Sequence, residues 1–97
     1  MKKYVFAISG ASGSIIGIRV LKELVKKSEV HLLISSQSFS IIKEETGFDF
    51  SGKTSAETER KIRKHFNSKQ IHYHSEYDLA APVSSGSFKT DGMLVVP

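Results

Sequence analysis

The feature that most limits the fold is a change of hydrophobic period around Gly10-Ala11-Ser12-Gly13-Ser14. Before it, Tyr4 to Ile8 are consecutively apolar, the pattern of a strand covered on both faces in a parallel sheet. After it, Ser14 to Lys27 takes helical spacing, with Ile18, Leu21 and Val25 on one face. The junction holds two glycines, hydroxyl side chains and nothing bulky. A strand, a glycine turn and a helix aim backbone N–H groups and the positive end of a helix dipole at one point, which suits a phosphate. Ser14 and Gly17 keep the start of that helix slim, where it must come close to a sheet or a ligand.

Glu29 to Ser35 reads as a second strand, with Val30, Leu32, Leu33 and Ile34 almost continuous. A strand–helix–strand unit of this length implies a right-handed parallel crossover. Ser35 and Ser36 stand at the end of this strand, where a dinucleotide-binding fold would carry an acidic residue for the ribose. The turn also lacks the G-x-G-x-x-G pattern, because Ser12 occupies the second glycine position. No Gly-Lys-Ser/Thr follows, which excludes a P-loop, and G-x-S-x-G fails at Ser14. These residues therefore indicate a phosphate or mononucleotide site.

Downstream, Ser38 to Glu45 is expected to be helical and to end at Thr46-Gly47, with Gly47 as a left-handed cap. Phe48 and Phe50 then anchor a polar linker. Thr54-Ser55-Ala56-Glu57 fits a capping box opening a helix to about Phe66, with Ile62 and Phe66 as a narrow apolar face suited to the periphery. Gln70 to His74 reads as a short strand that places His72 and His74 on one face. No Asp, Glu or Cys nearby in sequence completes a ligand set, so the pair reads as a surface or interface feature and no metal is expected; His31 and His65 carry no signal of their own. Taken alone, Ser84-Ser85-Gly86-Ser87 reads first as a flexible Ser/Gly loop, with a turn whose N–H and hydroxyl donors converge on an anion as the alternative. Gly92 to Val96 is a further buried-strand candidate. The chain stops at Pro97, where the next loop of an α/β site would begin, so residues 1–97 read as the N-terminal portion of one domain.

Composition narrows the classes. The formal net charge is +4, but Arg60, Lys61, Arg63 and Lys64 have no interleaved aromatic residues and read as a solvated helix face, without nucleic acid as partner. There is no cysteine, which removes disulfides, thiol nucleophiles and Cys-ligated metals. No apolar run nears the ~20 residues of a membrane span. No signal peptide is legible, and a cytoplasmic location is expected.

Taken together, these motifs resemble the flavin prenyltransferase family, once described as aromatic-acid decarboxylases. The resemblance rests on Ile8-Ser9-Gly10-Ala11-Ser12-Gly13 with Gly17 and Arg19, His31 to Ser35, Glu45-Thr46, and Ser84-Ser85-Gly86-Ser87-Phe88 before Gly92-Met93. It implies a Rossmann-like three-layer α/β/α fold with a parallel sheet, here truncated after the third or fourth strand. It further implies transfer of a dimethylallyl group from dimethylallyl phosphate to N5 and C6 of reduced FMN. The prenylated FMN would serve a separate decarboxylase of the UbiD type, including one in ubiquinone biosynthesis, and the enzyme would be a homo-oligomer, commonly a dodecamer. By the same resemblance, Gly10, Ala11, Ser12 and Ser35 contact the flavin. Ser12 and Glu45 assist proton movement at the reacting region, and Ser85, Gly86 and Ser87 receive the phosphate of the prenyl donor. No metal is implied. Leu79 stands where some members have an aromatic wall, and the members continue past the equivalent of Pro97. Two other readings remain: a non-catalytic FMN- or anion-binding module, and a related flavoprotein that decarboxylates a cysteine-containing pantothenate intermediate.

Overall fold

The computed structural model describes residues 1–9, 14–75 and 89–96, with the side chain of Ser14 excluded. The turn at Gly10, Ala11, Ser12 and Gly13, together with Leu79 and the loop of Ser85, Gly86 and Ser87, lies outside the described residues. The order of elements is β1 (Lys2–Ile8), α1 (Ser14–Leu24), β2 (Ser28–Ile34), α2 (Ser36–Thr46), α3 (Ser55–Phe66), β3 (Ile71–Ser75) and β4 (Gly92–Val96). All pairings are parallel, and the strands lie in the order β3-β2-β1-β4.

Side chains alternate across a strand, so the pairing register assigns each residue to a face. Phe6, Ile8, Val30, Leu32, Ile34, Ile71, Leu94 and Val96 share one face, and they pack with Ile18, Leu21, Ile42, Phe50 and Ile62 in a single core. The described helices thus cover one side of the sheet. The other side carries Lys3, Val5, Ala7, Glu29, His31, Leu33, His72, His74, Met93 and Val95.

The sequence limits of the elements follow from their caps. α1 stops at Leu24, short of the expected Lys27, because the chain tightens into i→i+3 bonds from Lys26 N to Glu23 O and from Lys27 N to Leu24 O. α2 starts two residues before the expected Ser38, because Ser35 is its N-cap; it ends as expected at Gly47, whose φ of 80° is left-handed and whose N–H bonds to Lys43 O. Thr54 caps α3 through a 3.1 Å bond from Glu57 N. The reciprocal bond to Glu57 Oε2 comes from Lys53 N, one residue before the usual capping-box donor. β4 differs from the buried-strand expectation: among the described residues it lies at the rim of the sheet, with Met93 63% and Val95 57% exposed. α3 lies against the edge strand β3, yet Ile62 is fully buried there.

Candidate functional site at the strand ends

β1 has β2 on one side and β4 on the other, so the direction of strand addition reverses between β1 and β4. In open α/β sheets a ligand crevice forms at such a reversal, outside the C-terminal strand ends. Here the ends are drawn level by two backbone bonds of 3.0 Å, from Ser9 N to Val96 O and from Ser35 N to Ile8 O. The glycine turn departs from this row, directly after Ser9. Gly17 faces the same row from α1. A Cβ there would stand 3.2 Å from a Val96 methyl, so its lack of a side chain lets α1 approach β4.

Ser35 therefore sits at the strand ends, where the sequence placed it, and there its hydroxyl caps a helix. Its Oγ accepts from Ser38 N at 3.3 Å and pairs with Ser38 Oγ at 2.7 Å. Ser38, fully buried, donates in turn to Ile8 O at 3.3 Å. Sequence reasoning missed Ser38; its signal was the S-x-x-S spacing of an N-cap and its N3 residue. The Ser35–Ser38 pair welds the start of α2 to the end of β1 and fixes the positive end of the helix dipole beside the crevice. Ser9 and Ser36 stand in this row beside Ser35, whose hydroxyl hydrogen goes to Ser38 Oγ because Ser38 donates to Ile8 O, and no acidic side chain belongs to the row among the described residues. That donor set fits a phosphorylated cofactor and opposes no negative charge to it.

Glu45 is exposed in the last turn of α2. Ten residues of helix separate it from Ser35, about 15 Å of rise, so the two do not address the same atom of a ligand. A cavity of about 580 Å³ opens on the other flank of α2, toward the start of α3. Ser36 and Ser75 border it, Lys43 and Lys53 line it, and Phe39 and Tyr73 meet edge-to-face at 6.1 Å within its wall.

The histidines need a correction. His31 and His65, read as isolated, both have ring partners. His65 packs on Phe48 at 4.1 Å, Phe66 at 4.8 Å and Phe50 at 5.1 Å. Burial, with a smaller contribution from Lys22, holds its pKa below the ordinary value. His72 and His74 do share a face, and strand pairing brings to it a carboxylate and a third imidazole from β2, Glu29 and His31, which lie far away in sequence. His31 stacks between them, with ring centroids 4.9 Å from His72 and 5.2 Å from His74. His31 Nε2 lies 2.7 Å from Glu29 Oε2, and its Nδ1 lies 2.9 Å from His74 Nε2. The bond from His31 holds the Glu29 carboxyl below its usual range, with Lys3 assisting against burial. Burial and the neighbouring His31 push His72 down.

The family model described as Flavoprotein matches residues 1–97. The chain belongs to the Flavoprotein family. Within that family it is 36% identical over 96 residues to the flavin prenyltransferase UbiX of Archaeoglobus fulgidus, covering 98% of this chain and 46% of the relative. It is 35% identical to the UbiX of Escherichia coli K12, covering 100% and 46%. A solved structure of AnUbiX (PadA1) in complex with FMN and dimethylallyl pyrophosphate aligns with a TM-score of 0.74 at 36% identity, covering 99% of this chain and 45% of that one. The dodecameric FMN-dependent UbiX-like decarboxylase of Escherichia coli O157:H7 aligns at 0.73 and 30%. The chain thus spans less than half the length of these relatives. The likeness to these structures agrees with a Rossmann-like architecture for the parallel sheet found here. No described helix is long and apolar enough to cross a membrane.

Proposed function

We propose that this chain is the flavin-binding portion of a flavin prenyltransferase, which moves a dimethylallyl group from dimethylallyl phosphate to N5 and C6 of reduced FMN. The observation that carries the reading is the near-complete alignment of this chain with a structure holding FMN and dimethylallyl pyrophosphate. The row of strand-end serines, without an acid among the described residues, supports it independently, since it suits a flavin phosphate better than the ribose of a dinucleotide.

In this reading Gly10, Ala11, Ser12 and Ser35 hold the cofactor. When bound, reduced FMN supplies the electron-rich ring that accepts the prenyl group. Ser85, Gly86 and Ser87 receive the phosphate of the donor. Without diphosphate chemistry, cleavage of the allylic C–O bond needs several donors placed where charge gathers on the departing oxygens, and serine hydroxyls with a glycine backbone N–H offer them. Ser12 and Glu45 handle the proton released at the acceptor. The assembly is a homo-oligomer, as in the dodecameric relative, and its product passes to a separate UbiD-type decarboxylase.

The test is anaerobic incubation of the full-length protein with reduced FMN and dimethylallyl phosphate, followed by mass analysis of the flavin. Addition of one dimethylallyl group is expected; an unchanged flavin on a protein that binds FMN reduces the role to binding alone. A protein that takes up no FMN rejects the flavin reading itself. Glu45→Gln is expected to keep FMN uptake and slow transfer by about 10²- to 10⁴-fold. Unchanged transfer removes Glu45 from the mechanism.

A further inference from the structure

Four chemistry-bearing side chains gather on the sheet face away from the helices, remote from the strand-end crevice in register. Glu29, His31 and His72 each offer one ligand atom, and those atoms all lie within 4.8 Å of one another. Their placement is set by the backbone: His31 and His72 are direct cross-strand partners, and Glu29 precedes His31 by two residues on the same face. We propose that Glu29, His31 and His72 form a binding site for a divalent transition metal of the zinc type, with His74 as the positioning residue behind His31.

The donor set carries the choice of metal. Two imidazoles and one carboxylate are the three-ligand set of open zinc sites, whereas magnesium and calcium take oxygen donors. His31 is already oriented for ligation. Its Nε2 points at the Glu29 carboxylate, 2.7 Å away, and its Nδ1 is engaged by His74 at 2.9 Å. A ligating histidine ordinarily has its other ring nitrogen hydrogen-bonded, which fixes ring direction and raises basicity. His74 supplies that bond. His31 is buried, with 8% exposed, while Glu29 and His72 are half-buried, so among the described residues the third side of the cluster is open and a water can complete four-coordination.

The proton balance is defined. Beside a carboxylate, neutral His31 carries its hydrogen on Nε2, so its Nδ1 accepts from His74 Nε2–H. Metal entry at His31 Nε2 displaces that hydrogen. His31 is then protonated at Nδ1 and donates to His74 Nε2, and His74 moves its own hydrogen to Nδ1. Across His31 and His74 two ring protons are present before and two after, so this pair admits the metal by changing tautomer and releases no proton, while neutral His72 carries its single hydrogen on the ring nitrogen away from the ion. The bond between Glu29 and His31 opens to admit the ion. Ligand atoms around a tetrahedral zinc stand about 3.4 Å apart for bonds of about 2.1 Å, so His72 closes in by a side-chain rotation.

Two cations face the cluster. Lys3 Nζ is 3.7 Å from Glu29 Oε2, on a side chain 38% exposed that swings to water when the carboxylate is taken. Arg63 Nη2 is 3.4 Å from His72 Nδ1, but its charge is offset by Glu59 at 3.0 Å, and its Nε donates to Ile71 O at 2.7 Å.

The experiment uses the full-length protein purified without a polyhistidine tag and titrated at neutral pH with Co²⁺ and then Zn²⁺. Four-coordinate Co²⁺ is expected to give strong visible bands that Zn²⁺ abolishes. His72→Ala and Glu29→Gln are each expected to weaken Zn²⁺ binding by about a hundredfold, and His74→Phe by about tenfold. Nitrogen-15 spectra of the imidazoles should show His31 exchanging an Nε2–H for an Nδ1–H tautomer on Zn²⁺ addition. Circular dichroism checks that each variant is folded, and Glu29→Gln, which keeps the size of the side chain, serves if His72→Ala is not. Absence of the visible bands overturns the proposal. So does equal Zn²⁺ affinity in the parent and the folded variants, or histidine signals that answer to protons but not to Zn²⁺.

Discussion

The two faces of the sheet are made by the same strands and are chemically opposite. On the helix side, Phe6, Ile8, Val30, Leu32, Ile34 and Ile71 meet hydrocarbon from α1, α2 and α3, and no residue named on that face except Val96 and Leu94 is more than marginally accessible. On the other side, Glu29, His31, His72 and His74 form a hydrogen-bonded and stacked group, and beyond β1 the same face carries the exposed Met93 and Val95. Alternation along one strand, β2, writes both surfaces: Val30, Leu32 and Ile34 inward, Glu29, His31 and Leu33 outward. The difference teaches that stability and chemistry are separated by the pleat. Changes on the first face should be read in free energy of folding, and changes on the second in binding and pH.

The largest effect should come from Leu32→Ala, at the centre of the covered face. It should lose about 2–5 kcal/mol through lost burial and the cavity left behind, measured by denaturant unfolding. A loss below about 1 kcal/mol would mean that the helix layer collapses around the void and is less fixed than its packing indicates. Thr54→Ala removes the cap of α3 and should cost about 1 kcal/mol, with the helix start fraying first in hydrogen exchange.

His65 gives a smaller, pH-dependent effect. Burial lowers its pKa from 6.5, so below that value the unfolded chain binds a proton more readily than the native state. Its contribution is whole above the unfolded pKa and is lost as pH falls through the folded one. His65→Gln should flatten that part of the acid limb in a series of melting curves; an unchanged limb would place the acid sensitivity elsewhere. Glu29, also lowered, adds a loss at more acid pH, as pH falls through its folded value. The smallest effect is expected for Met93→Ser on the open face, within about 0.5 kcal/mol. A loss well above this would show that the face is covered in the working protein, and would make the contrast one of partners instead of solvent.

Local features were the most legible in the sequence. β1 showed as an unbroken apolar run and β2 as an almost continuous one, and the two helix ends at Gly47 and Thr54 followed from residues whose backbone and hydroxyl preferences act within a turn. The edge position of β4 was not legible, because an apolar run looks alike in the centre of a sheet and at its rim. The cluster around His31 was hidden for a different reason. His31 and His74 are 43 residues apart, and only the register of β2 against β3 makes them neighbours. At the strand ends, Ser35 was legible by position, whereas Ser38 was read only as the start of a helix and is in fact the buried link between α2 and β1.

The pairing of β1 with β4 joins Tyr4 to Gly92, the longest reach along the chain in the sheet. Closing so large a loop is entropically demanding and slow compared with forming the β1–α1–β2 unit. The crevice between β1 and β4 is therefore expected to be completed after the β1–α1–β2 unit. A ligand that spans the two strand ends binds only the finished sheet and draws the chain toward it by mass action. During synthesis, the supply of such a ligand would act as a folding aid, and its shortage would leave β4, with Met93 and Val95, as a sticky unpaired strand.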